Sequence, residues 1–157
     1  MEFETALRSR VSRDGVIANS AAQAFAVAAD CFVEAGAIPK ELAEDVARAF
    51  ERREASGSTS MGAGMLIPHI FVEGVLGTHL AVIRVPEGVQ MPTVDGLPAR
   101  LLFCILASEA DRPAYLHVLG TIARVARDRD WRRHLDRADQ AERVLEILSV
   151  GEKALRP

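Results

Sequence analysis

Lysine is nearly absent from this chain: of its 19 basic residues only Lys40 and Lys153 are lysine, and the rest are arginine. Even with the arginines, 22 acidic residues prevail, leaving a formal net charge of −3. A general nucleic-acid binder carries a basic excess, so that class is excluded. Cysteine is scarce as well. Cys31 and Cys104 lie in apolar runs without CxxC spacing, which excludes a disulfide framework or a zinc ribbon and reads as two buried small hydrophobes in a reducing compartment. No apolar run approaches the roughly 20 residues that span a bilayer. The start, Met1-Glu2-Phe3-Glu4, is acidic where a signal peptide is basic. The expectation is a cytoplasmic protein with no direct membrane insertion.

What the sequence does contain is ordinary core material. Hydrophobic residues make up 49% and charged residues 26% of 157 positions, enough for one globular domain over residues 1–157. Residues 1–18 read as an irregular lead-in with at most a short strand at Val16-Ile17. Asn19 or Ser20 is a helix N-cap, followed by Ala21, Phe25, Ala28 and Phe32 at helical spacing, with Gly36 as the stop. Pro39 suits the first turn of a second helix, with the stripe Leu42, Val46, Ala49 and Phe50, ending at Arg53 or Glu54. Two strands follow at 80–85 and 100–107, joined through an Asp95-Gly96 turn; the second is apolar on both faces, as a central strand covered on each side must be. Pro113 opens a long helix with the expected inward stripe Leu116, Leu119, Ala123 and Ala126. A short helix near 131–135 and a last one near 139–149 follow, the latter turning Val144, Leu145 and Leu148 inward. This order predicts an α/β sandwich in one domain, a mixed β-sheet flanked by helices on both faces.

Four histidines are present, His69, His79, His117 and His134, and no pair has the i,i+4 spacing of a helical zinc site. His69 stands apart by its setting. It ends a stretch, residues 55–69, in which Gly57, Gly62 and Gly64 with Ser58 and Thr59 lead through an apolar run to Pro68-His69. Glycines there leave backbone N–H groups free to meet an anion, and Ser58 and Thr59 add hydroxyl donors. Arg53 supplies charge from the end of the second helix. Neutral imidazole is a nucleophile near pH 7. These residues suit both a structural loop histidine and a phosphoryl acceptor. Six arginines between Arg124 and Arg137 are likewise open to two readings, a solvated face or a docking patch for an acidic or phosphorylated partner.

The string Arg53-Glu54-x-x-Gly57-Ser58-Thr59-x-x-Gly62-x-Gly64-x-x-Ile67-Pro68-His69 closely resembles the active-site region of the enzyme IIA domains of the phosphotransferase system (PTS), in the fructose/mannitol class that includes the nitrogen-regulatory IIA protein. The two preceding helices, the run Leu101–Leu106 and the later Tyr115-Leu116-x-x-Leu119 resemble the family as well, so that the likeness covers nearly the whole chain. The resemblance implies a PTS enzyme IIA type-2-like domain over 1–157 and a phosphohistidine carrier active in sugar transport or regulation. His69 would accept a phosphoryl group on Nε2 from the phosphocarrier HPr, then pass it to a IIB domain or hold it as a regulatory mark on a target protein. It further implies that Arg53 neutralises phosphate charge, that Ser58 and Thr59 bind phosphate, and that no metal or organic cofactor takes part. The sequence departs from the family in two places: Ile70 stands where glycine usually follows the histidine, and Tyr115 where a second histidine usually stands. Tyr115 can donate a hydrogen bond but cannot be cationic. His117, two residues on, lies about 200° around the helix and is expected on another face. Ile70 and Phe71 are apolar candidates either for the partner-docking surface or for the core. A second reading accompanies the first, a IIA-fold regulatory module that binds a protein partner without carrying phosphate.

Overall fold

The computed structural model describes residues 1–157, and its organising element is the strand Ala99–Ala107 (β6). Only Arg100 in it is exposed. Its side chains alternate between two cores: Leu102, Cys104 and Leu106 face one, Leu101, Phe103, Ile105 and Ala107 the other. That two-residue period is what a strand buried on both faces imposes. Strand β5 (Thr78–Val89) runs antiparallel along one edge of β6, with Leu80 opposite Ile105 and Val82 opposite Phe103. The other edge is taken by two short parallel pieces, β3 (Met65–Leu66) opposite Leu101–Leu102 and β4 (His69–Phe71) opposite Ile105–Ala107. A hairpin partner, β2 (Ser60–Gly62), closes that side. On the far edge β1 (Ser9–Arg13) pairs in parallel with β5. The mixed six-stranded sheet has the order β1-β5-β6-β3-β2, with β4 also on β6.

Helices cover both faces, as the sequence predicts. Helix α2 (Ala21–Glu34) starts at Ser20, whose hydroxyl accepts the Gln23 N–H. Pro39 precedes a 3-10 turn over Lys40–Leu42, and helix α3 (Ala43–Ser56) runs two residues past the expected end. These two helices bury Phe25, Phe32 and Phe50 on one face of the sheet, with ring centroids 5.7 Å (Phe25–Phe50) and 6.0 Å (Phe32–Phe50) apart. The other face carries α4 (Arg112–Arg127), α5 (Arg129–Arg137) and α6 (Ala141–Ala154).

Two expectations need correction. The N-terminal lead-in is ordered, as the turn α1 (Phe3–Ala6) followed by β1, and no strand forms at Val16-Ile17. The sequence Ser-Arg-Val-Ser-Arg has one apolar residue; it becomes a strand because the open edge of β5 offers it hydrogen-bond partners, a tertiary effect that outweighs local propensity. On α4 the inward stripe is Tyr115, Val118, Ile122, Val125 and Ala126, while Leu116 is 52% exposed. The helix is apolar over two adjacent faces, and the face bearing the β-branched and aromatic residues is the one that meets the sheet.

The N-terminal turn is held by a single buried carboxylate. Glu152 accepts the Phe3 N–H at 3.0 Å, faces His117 Nε2 at 2.8 Å and pairs with Arg156 at 2.8 Å. Burial opposes its charge, but those three hydrogen bonds together hold its carboxyl below the ordinary value. Such a group contributes stability above its unfolded pKa of about 4.3 and loses it as pH falls through the lower folded pKa. Protection of the Phe3–Ala6 amides against hydrogen exchange is therefore expected to drop before that of β6 on acidification below about pH 4.3. Equal loss of protection in both segments would refute it.

Candidate functional site

Pro68 shapes the site. It has no N–H, so the chain cannot pair continuously with β6, and the strand breaks into β3 and β4 around Ile67-Pro68. The Pro68 carbonyl still accepts the Ile105 N–H at 2.8 Å, which fixes His69 directly opposite Ile105. Within β4, Ile70 turns into the core under α2 and α3 and is 8% exposed, whereas His69 and Phe71 point to the α4 side. Of the two apolar docking candidates, Ile70 is thus a core residue: a side chain after the histidine is tolerated because it fills that core. Phe71 is half-buried against Tyr115.

His69 is itself half-buried, and its Nδ1 lies 2.7 Å from the Ile67 carbonyl oxygen. A carbonyl only accepts, so in the neutral ring Nδ1 carries the hydrogen. Nε2 is left with its lone pair. The ring lines an open groove whose walls come from two directions. One wall is the end of α3 and the segment after it, with Arg53, Ser58, Thr59, Ser60 and Met61; the other is α4, with Leu116, Leu119, Gly120, Ala123 and Arg127. Three residues expected in the inward stripe of α4 therefore form an apolar groove wall beside His69. The groove contains two arginines and no carboxylate.

Arg53 sits in the last turn of α3 and donates to the Gly57 carbonyl at 3.0 Å, which holds its guanidinium toward the groove rather than back along the helix. The next residue, Glu54, is 5% exposed and clamps the loop: its oxygens accept the Thr59 N–H at 2.9 and 3.2 Å and the Thr59 hydroxyl. Sequence reasoning gave Glu54 no role, yet a signal was there. A carboxylate in the last turn of a helix faces the negative end of the dipole and needs a partner.

Ser58 and Thr59 line the groove, but both hydroxyl hydrogens are engaged within the chain. Ser58 donates to the Pro92 carbonyl at 2.9 Å and Thr59 to Glu54. Two N–H groups of the glycine-rich hairpin are likewise engaged within the chain. The Gly62 N–H goes to Ser60 Oγ and the Ala63 N–H to Asp95 Oδ2, at 3.3 and 2.9 Å. Gly62 and Gly64 adopt φ of 82° and 77°, which only glycine takes without strain, and a Cβ on Gly64 would lie 3.0 Å from the Pro98 carbonyl. Arg132 of α5 locks the same hairpin by donating to the carbonyls of Met61 and Gly62, so this member of the arginine cluster is structural.

Tyr115 lies beneath the site rather than on its rim. It is 5% exposed, with its ring 6.0 Å from that of His69 and 4.5 Å from that of Phe71. Burial raises its hydroxyl pKa, partly offset by the Arg53 and Arg112 charges, so it remains a protonated donor at neutral pH. The other histidines are elsewhere. His117 faces Glu152, His79 is buried between Ser9 and the Leu76 carbonyl, and His134 packs on Trp131.

The chain is 35% identical over 118 residues to the nitrogen regulatory protein of Pseudomonas aeruginosa, covering 73% of this chain and 77% of that protein. It is 31% identical over 121 residues to the PTS fructose-specific EIIA component of Haloferax volcanii, covering 76% and 77%. Against the fructose-specific EIIABC component of Bacillus subtilis the match spans only 16% of that protein, at 30% identity and over 64% of this chain. Its fold superposes on the crystal structure of nitrogen regulatory protein IIA-Ntr from Neisseria meningitidis with a TM-score of 0.73 and 28% identity, over 89% of this chain and 92% of that one. Residues 7–150 match the family described as phosphoenolpyruvate-dependent sugar phosphotransferase system, EIIA 2, and the chain belongs to that family.

Proposed function

We propose that this protein is a phosphohistidine carrier that accepts a phosphoryl group on His69 Nε2 from an HPr-like phosphocarrier, as a single enzyme IIA domain over residues 1–157 working in the cytoplasm. The observation that carries this reading is the 2.7 Å bond from His69 Nδ1 to the Ile67 carbonyl, which leaves Nε2 as the free nucleophilic nitrogen of a ring lining a carboxylate-free groove. In the transfer, the Nε2 lone pair forms the new N–P bond while the donor's N–P bond breaks. The donor imidazole keeps that electron pair, and the hydrogen of His69 stays on Nδ1, donated to the Ile67 carbonyl. Arg53 meets the charge of the passing phosphoryl group, and positioning with charge stabilisation supplies the catalysis. Ser58 and Thr59 join in by exchanging their present bonds for phosphate oxygens. Leu116, Leu119 and Ala123 offer the apolar surface on which the donor, and afterwards a IIB domain or a regulated target protein, docks.

The direct test is incubation with phosphoenolpyruvate, enzyme I and HPr, followed by intact mass. Uptake of one acid-labile phosphoryl group is expected; an unchanged mass would favour the module that binds a partner without carrying phosphate. Tyr115 sharpens the choice. A charge-assisted hydrogen bond exceeds a neutral one by on the order of 1 kcal/mol, about fivefold in rate. Tyr115→His is thus expected to raise phosphorylation modestly and Tyr115→Phe to lower it. A Phe variant as active as the parent would remove the role of the hydroxyl.

A further inference from the structure

A phosphoryl group on histidine brings nearly two negative charges to the site, and Arg53 answers one of them. Tyr115, buried beside the ring, adds no positive charge. Arg127 lines the far wall of the same groove, and one further cation is linked to His69 through the side chains beneath it. Arg112, the first residue of α4, is exposed and takes part in none of the chain's ion pairs. Its guanidinium carbon lies 5.0 Å from the centre of the Phe71 ring. Phe71 stands two residues after His69 on the same side of β4 and touches Tyr115 at 4.5 Å, which in turn lies 6.0 Å from His69. Arg112 therefore ends a continuous run of side chains that begins at the nucleophile. Arg53 and Arg112 are also the two charges that favour ionisation of the Tyr115 hydroxyl, so both act on the ring next to His69.

We propose that Arg112 is a further cation of the His69 site beside the groove arginines, leaving the face of Phe71 to grip the phosphoryl oxygens on Nε2 together with Arg53. This inference rests on the carrier reading given above. The contact it leaves is an exposed cation–π pair, which is weak, and no carboxylate holds the guanidinium back. The planar fork of arginine fits two phosphoryl oxygens at once, which gives the new contact both strength and direction.

Phosphoramidate, a small inorganic donor that needs no protein docking surface, separates this role from partner binding. Its P–N bond breaks as ammonia leaves from the protonated amine, and the P–Nε2 bond forms. Uptake by the full chain, followed by intact mass, is expected to be about tenfold slower in Arg112→Gln and largely restored in Arg112→Lys, the gap narrowing at high salt. Arg143→Gln, on α6 and paired with Glu146, should match the parent. An Arg112→Gln variant as fast as the parent at low salt would overturn the role of Arg112 and leave the carrier reading standing. Loss in Arg112→Gln without recovery in Arg112→Lys would also overturn it, assigning the effect to packing on Phe71. A parent protein that takes up no phosphoryl group would remove both.

Discussion

His69→Ala is expected to take up no phosphoryl group from phosphoenolpyruvate, enzyme I and HPr while remaining folded. The expectation is all-or-none because no other histidine can substitute. His79 is buried with both ring nitrogens bonded, and His117 gives Nε2 to Glu152 on the opposite side of α4. His134 stacks against Trp131 on α5 and does not line the groove. Stability should change by no more than about 1 kcal/mol, since the half-buried ring is tied only to the Ile67 carbonyl and β4 is held to β6 through its backbone. Intact mass and a urea melt on the same preparation read both quantities. Undiminished acid-labile label in the variant would place the phosphoryl group on another residue and end the assignment of His69.

The largest loss of stability is expected from Phe50→Ala. Phe50 is fully buried and lies between Phe25 and Phe32, at 5.7 and 6.0 Å, so its removal opens a cavity that two rigid rings cannot close. Large-to-alanine changes of this kind cost roughly 3–5 kcal/mol, against a total stability of about 5–15 kcal/mol for a typical domain. The consequence reaches the site, because Arg53 and Glu54 follow within the same helix α3. Loosening α3 releases the clamp on Thr59 and the hold on Arg53 together, so phosphoryl uptake should fall along with stability. A shift in the urea midpoint equivalent to less than about 1 kcal/mol would show that the α2–α3 layer is not coupled to the sheet as the packing implies.

Much of the fold was legible because it obeys one strong period at a time. Helix α2 announces itself through Ser20, the repeat Ala21-Phe25-Ala28-Phe32 and Gly36, and β6 through an apolar run too short for a buried helix with a turn before it. Helix α4 was legible as a helix but not in its orientation, since its apolar residues cover more than one face. Its burial is decided by which face fits against β6, and periodicity carries no information on that. Strand β1 shows no strand pattern at all; its place is set by the unpaired edge of β5, seventy residues away in sequence.

The same division runs through the site. The sequence by itself determined that His69 follows a proline at the end of a glycine-rich segment and that Arg53 and the Gly57-Ser58-Thr59 run precede it. Those are facts of covalent order and local backbone restriction. Only the tertiary structure decided that Nδ1 binds the Ile67 carbonyl, that Glu54 takes the Thr59 hydroxyl, that Ile70 is core, and that Leu116, Leu119 and Ala123 wall the groove. Each of these follows from which strand meets β6 and which side of α4 meets the sheet, and such pairings are settled by competition for burial and hydrogen bonds among segments far apart in the chain.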